Sequence, residues 1–115
     1  MKTLGELIKQ LREKENLPQR KLAYELDIDV AVLSRIENEN KFPKKRITEI
    51  IQIISRLFRI PENELKLCYL SDEIATILTY EENYEAILKV SEEKVNYART
   101  KNLVQSEIKF SNESN

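Results

Sequence analysis

The side chains best suited to specific chemistry lie between Gln19 and Arg46. Arg35 stands among the small residues Val30, Ala31 and Ser34, with Asn38 three positions on. That combination suits the reading of base edges, because Arg bonds guanine through two donors and small apolar groups lie against a thymine methyl. A few residues later, Lys41-Phe42-Pro43-Lys44-Lys45-Arg46 holds four cations in six residues. Cations at a helix start oppose the helix dipole, so a phosphate partner accounts for them better than the alternative, a solvated loop.

Other chemistries lack their residues. The chain has no His, which removes the commonest general base and the commonest zinc ligand together. Cys68 is the single cysteine; it has no partner for an internal disulfide and, one turn from Asp72, reads as a packed thiol. Glu81, Glu82 and Glu85, like Glu92 and Glu93, read as a solvated helix face rather than an acid-base or metal pair. The five Tyr do not cluster with basic residues, which argues against a stacking platform for single strands. The sequence calls for no enzyme activity, no metal and no cofactor.

The elements that must position these residues follow from composition and pattern. With 115 residues, 34% of them charged, one Gly and three Pro, the chain fits one small helical domain with an extension. No run approaches the ~20 apolar residues that span a bilayer, and MKTLGELIKQ lacks the apolar core of a signal peptide. A cytoplasmic protein without a membrane partner is expected. Residues 1–65 carry 13 Lys or Arg against 11 Asp or Glu, and residues 66–115 carry 6 against 9. The first stretch is therefore the candidate for a polyanion, through a local and shaped contact rather than a generic basic surface.

Thr3-x-x-Glu6 reads as a capping box, followed by Leu4, Leu7, Ile8 and Leu11 on one helical face to about Lys14. Pro18 suits the start of a second helix burying Leu22, Ala23 and Leu26. Asp29 is the expected N-cap of a third helix that turns Leu33 and Ile36 inward and Ala31, Ser34, Arg35 and Asn38 outward, flanked by Val30 and Val32. A fourth helix is expected from Lys44 to Phe58, with Ile47, Ile50, Ile51, Ile54 and Leu57 spaced for burial; a strand is the rival, since Ile is β-branched. After Pro61, Leu67, Leu70, Ile74, Ile77 and Leu78 make a stripe while Leu65 and Tyr69 face elsewhere, so this helix needs more than one partner surface. A last helix from about Glu82 to Arg99 presents Tyr84, Ile87, Leu88 and Val95. Residues 104–115 read as a polar, disordered tail.

Helix, short turn and helix at residues 18–38 is the unit that sets a second helix into the DNA major groove. Residues 3–65 resemble the helix-turn-helix domain of the lambda-repressor-like, or XRE, transcription regulators. The resemblance rests on Leu17-Pro18-Gln19-x-x-Leu22-Ala23, Leu33-Ser34-Arg35-Ile36-Glu37-Asn38, Pro43 and Ile60-Pro61-x-x-Glu64-Leu65. It implies an all-α, five-helix DNA-binding domain over residues 1–65; the helices after it carry more apolar surface than such a domain needs to cover its own core, which points to a helical dimerisation extension over 66–103. It implies Gln19 near a phosphate or base edge, Val30, Ala31, Ser34 and Arg35 as reading positions, and Asn38 and Lys41 on the backbone; Arg20 beside Gln19, and Lys44 and Lys45 from the basic run itself, are further candidate DNA contacts. Many relatives carry Gly where this chain has Asp27 and where it has Glu39 and Asn40; Asp and Asn tolerate the left-handed conformation, which keeps the turns.

The stretch from LCYLSDEI to EEKVNY resembles an extension on XRE-like regulators of restriction-modification loci, which implies a small controller protein. The expected function is sequence-specific, dimeric binding to double-stranded DNA at a two-half-site operator, acting on a promoter close to its own gene. The homodimer is expected from Leu67, Leu70, Ile74, Ile77, Tyr84, Ile87, Leu88 and Val95. The alternatives are an antitoxin whose C-terminal helices mask a toxin, and an adaptor that binds another protein and no DNA.

Overall fold

The computed structural model describes residues 1–113, and the side chains of residues 1–103. Among them every regular element is helical: α1 (Leu4–Lys14), α2 (Gln19–Leu26), α3 (Val30–Glu39), a 3-10 turn at Lys44–Arg46, α4 (Ile47–Phe58), α5 (Glu62–Leu78) and α6 (Tyr84–Glu113). The Ile-rich run is a helix and not a strand. No described helix is long and apolar enough to cross a membrane.

The chain divides into two compact units, Met1–Ile77 and Leu78–Asn115. In the first, α3 packs on α1 and α2, and α2 on α4. Leu4, Ile8, Leu22, Leu26, Leu33, Ile36, Ile50, Ile54 and Leu65 are fully buried, and each contributes on the order of 1.5–3 kcal/mol by leaving water. The boundary expected at 65/66 falls inside α5, because α5 stays anchored past Leu65: Cys68 and Tyr69 pack on this core, and Asp72 Oδ2 accepts the Leu4 N–H at 2.8 Å. Desolvation, reinforced by Asp72, pushes the Cys68 thiol above its ordinary pKa, as suits a packed thiol. Tyr69 also meets Phe42 edge to face, centroids 5.6 Å apart.

Several helix ends differ from expectation. The capping box of α1 closes by half: Thr3 Oγ accepts the Glu6 N–H at 3.2 Å, but Glu6 Oε1 takes the Thr3 hydroxyl proton instead of the Thr3 N–H. Asp29 occupies the N-cap of α3 with no side-chain bond; its carbonyl accepts from Val32 and Leu33. The helix expected from Lys44 opens as a 3-10 turn, closed by the Arg46 N–H on the Pro43 carbonyl at 2.9 Å, and the Arg46 side chain reaches back to α2. Its guanidinium donates to Leu26 O at 2.8 Å and Asp27 O at 3.0 Å, closing two carbonyls that the end of α2 leaves open. Leu57 is 42% exposed, and Ile53 and Phe58 pack on the core instead.

Among the described residues four helices end on a left-handed residue, and none is Gly: Asn16, Asp27, Asn40 and Arg59 have φ between 53° and 56°. At Asp27 the returning bonds run from Asp27 N–H to Tyr24 O and from Ile28 N–H to Ala23 O, a Schellman closure. The one Gly serves elsewhere. A Cβ on Gly5 would stand 1.9 Å from the Ile36 carbonyl oxygen, so only Gly permits the α1–α3 crossing at this distance.

In the second unit α6 starts two residues later than expected and continues past Arg99, since neither Pro nor Gly interrupts residues 84–113. Its backbone is helical into the stretch expected as a polar tail; residues 114–115 of that stretch lie outside the described residues. Among side chains 84–103 none is buried, and only Ile87 is half-buried.

Candidate nucleic-acid interface

The interface is built on α3, whose two faces are sharply different. Inward, Leu33, Ile36 and Glu37 are buried, and Val32, expected to flank the outer face, packs on the core. Outward, Val30, Ala31, Arg35 and Asn38 are exposed and Ser34 is half-buried. Asn38 Nδ2 donates to Ser34 Oγ at 3.1 Å, so two of the residues expected to touch DNA share one bond along the helix. The exposed face carries one cation, and its side chains are otherwise small or short, which lets a helix backbone approach a groove floor closely.

Behind this face sits a polar cluster whose members the sequence alone does not bring together. Glu37, 3% exposed, receives Arg12 in a two-bond fork, Nε to Oε2 at 2.7 Å and Nη2 to Oε1 at 3.0 Å. Gln19 Nε2 adds a third bond to Oε1 at 2.9 Å, and Arg12 Nη1 donates to Leu17 O at 2.9 Å. The bond to Glu37 is the main reason the Arg12 guanidinium holds its proton more firmly than usual. One carboxylate thus joins α1, the start of α2 and α3, with its charge compensated and both its oxygens hydrogen-bonded. Two signals point to it: Glu37 lies four residues after Leu33, on the buried face, and the motif carrying the resemblance includes it.

Gln19, expected near a phosphate or base edge, is therefore held at the start of α2 with its amide engaged by Glu37. Arg20 beside it is exposed. Of the basic stretch, Lys41, Lys44 and Lys45 are exposed, and Lys41 Nζ lies 3.8 Å from Glu39 in an open, weak pairing. Arg46 is the member withdrawn from the surface, committed to α2 and, through Nε, to Glu49 at 2.8 Å.

The residues expected to join two copies divide between the units. On α5, Leu67, Leu70, Ile74 and Ile77 are exposed, opposite the anchoring Leu65, Cys68, Tyr69 and Asp72. On α6, Tyr84, Leu88 and Val95 are exposed and Ile87 half-buried.

Residues 5–70 fit the family model described as a helix-turn-helix domain. No curated protein and no solved structure matches the chain.

Proposed function

The chain belongs to the helix-turn-helix family, and from that premise we propose that it is a sequence-specific transcription regulator that reads double-stranded DNA with the outer face of α3. The family is DNA-binding and typically non-enzymatic. The observation that carries the reading is the segregation of α3: a solvent-facing row of Val30, Ala31, Ser34, Arg35 and Asn38 backed by a fully satisfied polar and apolar face. In a major groove Arg35 supplies the two-donor bond to a guanine, and Val30 and Ala31 supply contact to a thymine methyl. Ser34 and Asn38 add short polar contacts. Gln19 and Arg20 at the start of α2, with Lys41, Lys44 and Lys45, serve the phosphate backbone.

The regulator acts as a homodimer on two half-sites. Support comes from the exposed Leu67, Leu70, Ile74 and Ile77 of α5 and from α6, which has no buried side chain among those described and cannot offset its own ordering entropy alone. Joining two reading heads turns the second binding event into an intramolecular one and multiplies a modest affinity. The target is a promoter near its own gene, with a restriction-modification operon as the narrower form of the same reading, supported by the resemblance of the 67–97 stretch. Selection of bound duplexes from a random pool tests the proposal. Recovery of a motif repeated as two half-sites supports it; recovery of none at low salt would transfer the fold to protein–protein work.

A further inference from the structure

We propose that Asp72, on α5 and outside the reading face, is a positioning residue for DNA readout, acting through Asn40 on the end of α3; this rests on the role proposed for α3 above. Base-edge hydrogen bonds demand that a recognition helix be held to within about 0.5 Å. Glu37 ties the last turn of α3 to α1 and α2, and the N-cap Asp29 makes no side-chain bond. Its far end is held by Asn40, left-handed at φ 56°. Asn40 Oδ1 accepts the Gly5 N–H at 2.8 Å, and its Nδ2 donates to Asp72 Oδ2 at 3.2 Å. The same Asp72 oxygen accepts the Leu4 N–H at 2.8 Å.

The chemistry of this chain of bonds is directional. An ionised carboxylate only accepts, so Asp72 obliges Asn40 to turn its amino group outward to α5 and its oxygen to the start of α1. That amide then fixes the α3 terminus against α1 at the point where Gly5 meets the Ile36 carbonyl. Loss of the Asp72 bond leaves the amide held by the Gly5 N–H alone and lets the end of α3, two residues from Asn38 and five from Arg35, shift against the DNA. Phosphate contacts tolerate such a shift better than base contacts do, so the expected signature is a loss of preference and not of general affinity.

The test compares the full chain with Asn40→Asp, Asp72→Ala and the exchanged pair Asn40→Asp with Asp72→Asn. Affinities are measured on the selected duplex and on a scrambled one, below each variant's unfolding temperature. Asn40→Asp sets two carboxylates face to face; it and Asp72→Ala should each weaken the selected duplex about tenfold, and scrambled DNA by no more than about twofold. The exchanged pair restores a donor facing a carboxylate and should recover the preference. Should a single variant fail to fold, Asn40→Gly, which keeps the left-handed backbone and removes both side-chain bonds, should show the same selective loss. Equal losses on both duplexes, or an exchanged pair no better than Asn40→Asp, would overturn the inference. A wild-type chain that selects no duplex overturns the DNA reading and this inference with it, whereas a selecting wild type with an indifferent Asp72→Ala overturns the inference alone.

Discussion

Gly5→Ala is the substitution whose outcome is set most directly by geometry. On helix propensity alone Ala should stabilise α1 by about 0.5–1 kcal/mol. Against this, the new methyl would stand 1.9 Å from the Ile36 carbonyl oxygen and 3.1 Å from Asn40 Oδ1. The nearer neighbour is backbone inside α3, so relief requires the two helices to part by about 1 Å at their crossing. Forced overpacking of this kind costs about 1–3 kcal/mol. Parting the helices also stretches the 2.8 Å bond from Gly5 N–H to Asn40 Oδ1, for about 1 kcal/mol more. The net expectation is a loss of about 1–3.5 kcal/mol, which for a unit of this size lowers the melting temperature by about 4–28 °C. Urea denaturation followed by circular dichroism measures it, with Gln10→Ala on the exposed side of α1 as the control that gains only the propensity term. A Gly5→Ala protein as stable as the control would refute the crossing geometry and the argument built on it.

Arg59→Gly should stabilise the protein by about 1 kcal/mol in the same assay, because Arg59 is exposed, left-handed and carries a steric cost that Gly lacks. Arg12→Leu should cost about 3–5 kcal/mol by leaving Glu37 buried and uncompensated, and adding Glu37→Leu should recover much of that loss in a double-mutant cycle. Arg35→Ala should cost about 1–3 kcal/mol on the preferred duplex and flatten preference at one base pair per half-site, read by competition binding. Lys44→Ala or Lys45→Ala should instead weaken all duplexes alike and lower the salt slope by about 1 for each phosphate that a subunit no longer neutralises. Leu70→Glu with Ile74→Glu should give a monomer by light scattering at micromolar concentration, with the first unit still helical; an unchanged mass would send the dimer interface elsewhere.

The helical order and the inward face of α3 are legible in the sequence because both follow from local spacing: Leu33 and Ile36 are one turn apart, and the Ile-rich run of α4 repeats at helical intervals. Asp27 and Asn40 are legible as turn residues for the same reason, since their tolerance of positive φ is a property of the residue alone. What cannot be read there depends on residues far apart in the chain. Nothing local announces that Arg12 and Gln19 meet on Glu37, or that Asn40 and Asp72 share the start of α1. Arg46 shows the limit clearly: in sequence it is one more cation in a basic run, and only the fold reveals that the carbonyls of Leu26 and Asp27 claim it. The reach of α6 escapes a reading that equates polarity with disorder, because polar residues without Pro or Gly sustain a helix well.

The division of labour within α3 bears on how such a protein changes over generations. Val30, Ala31 and Arg35 contribute almost nothing to the packing of the unit, which rests on Leu33, Ile36 and Glu37 behind them. Mutations at the outer positions are therefore shielded from selection for folding and, on the proposed reading of α3, meet only selection for the duplex that is bound. A duplicated gene could drift to a new operator one outer residue at a time, each intermediate remaining as well folded as its parent, while the inner face of the same helix stays frozen.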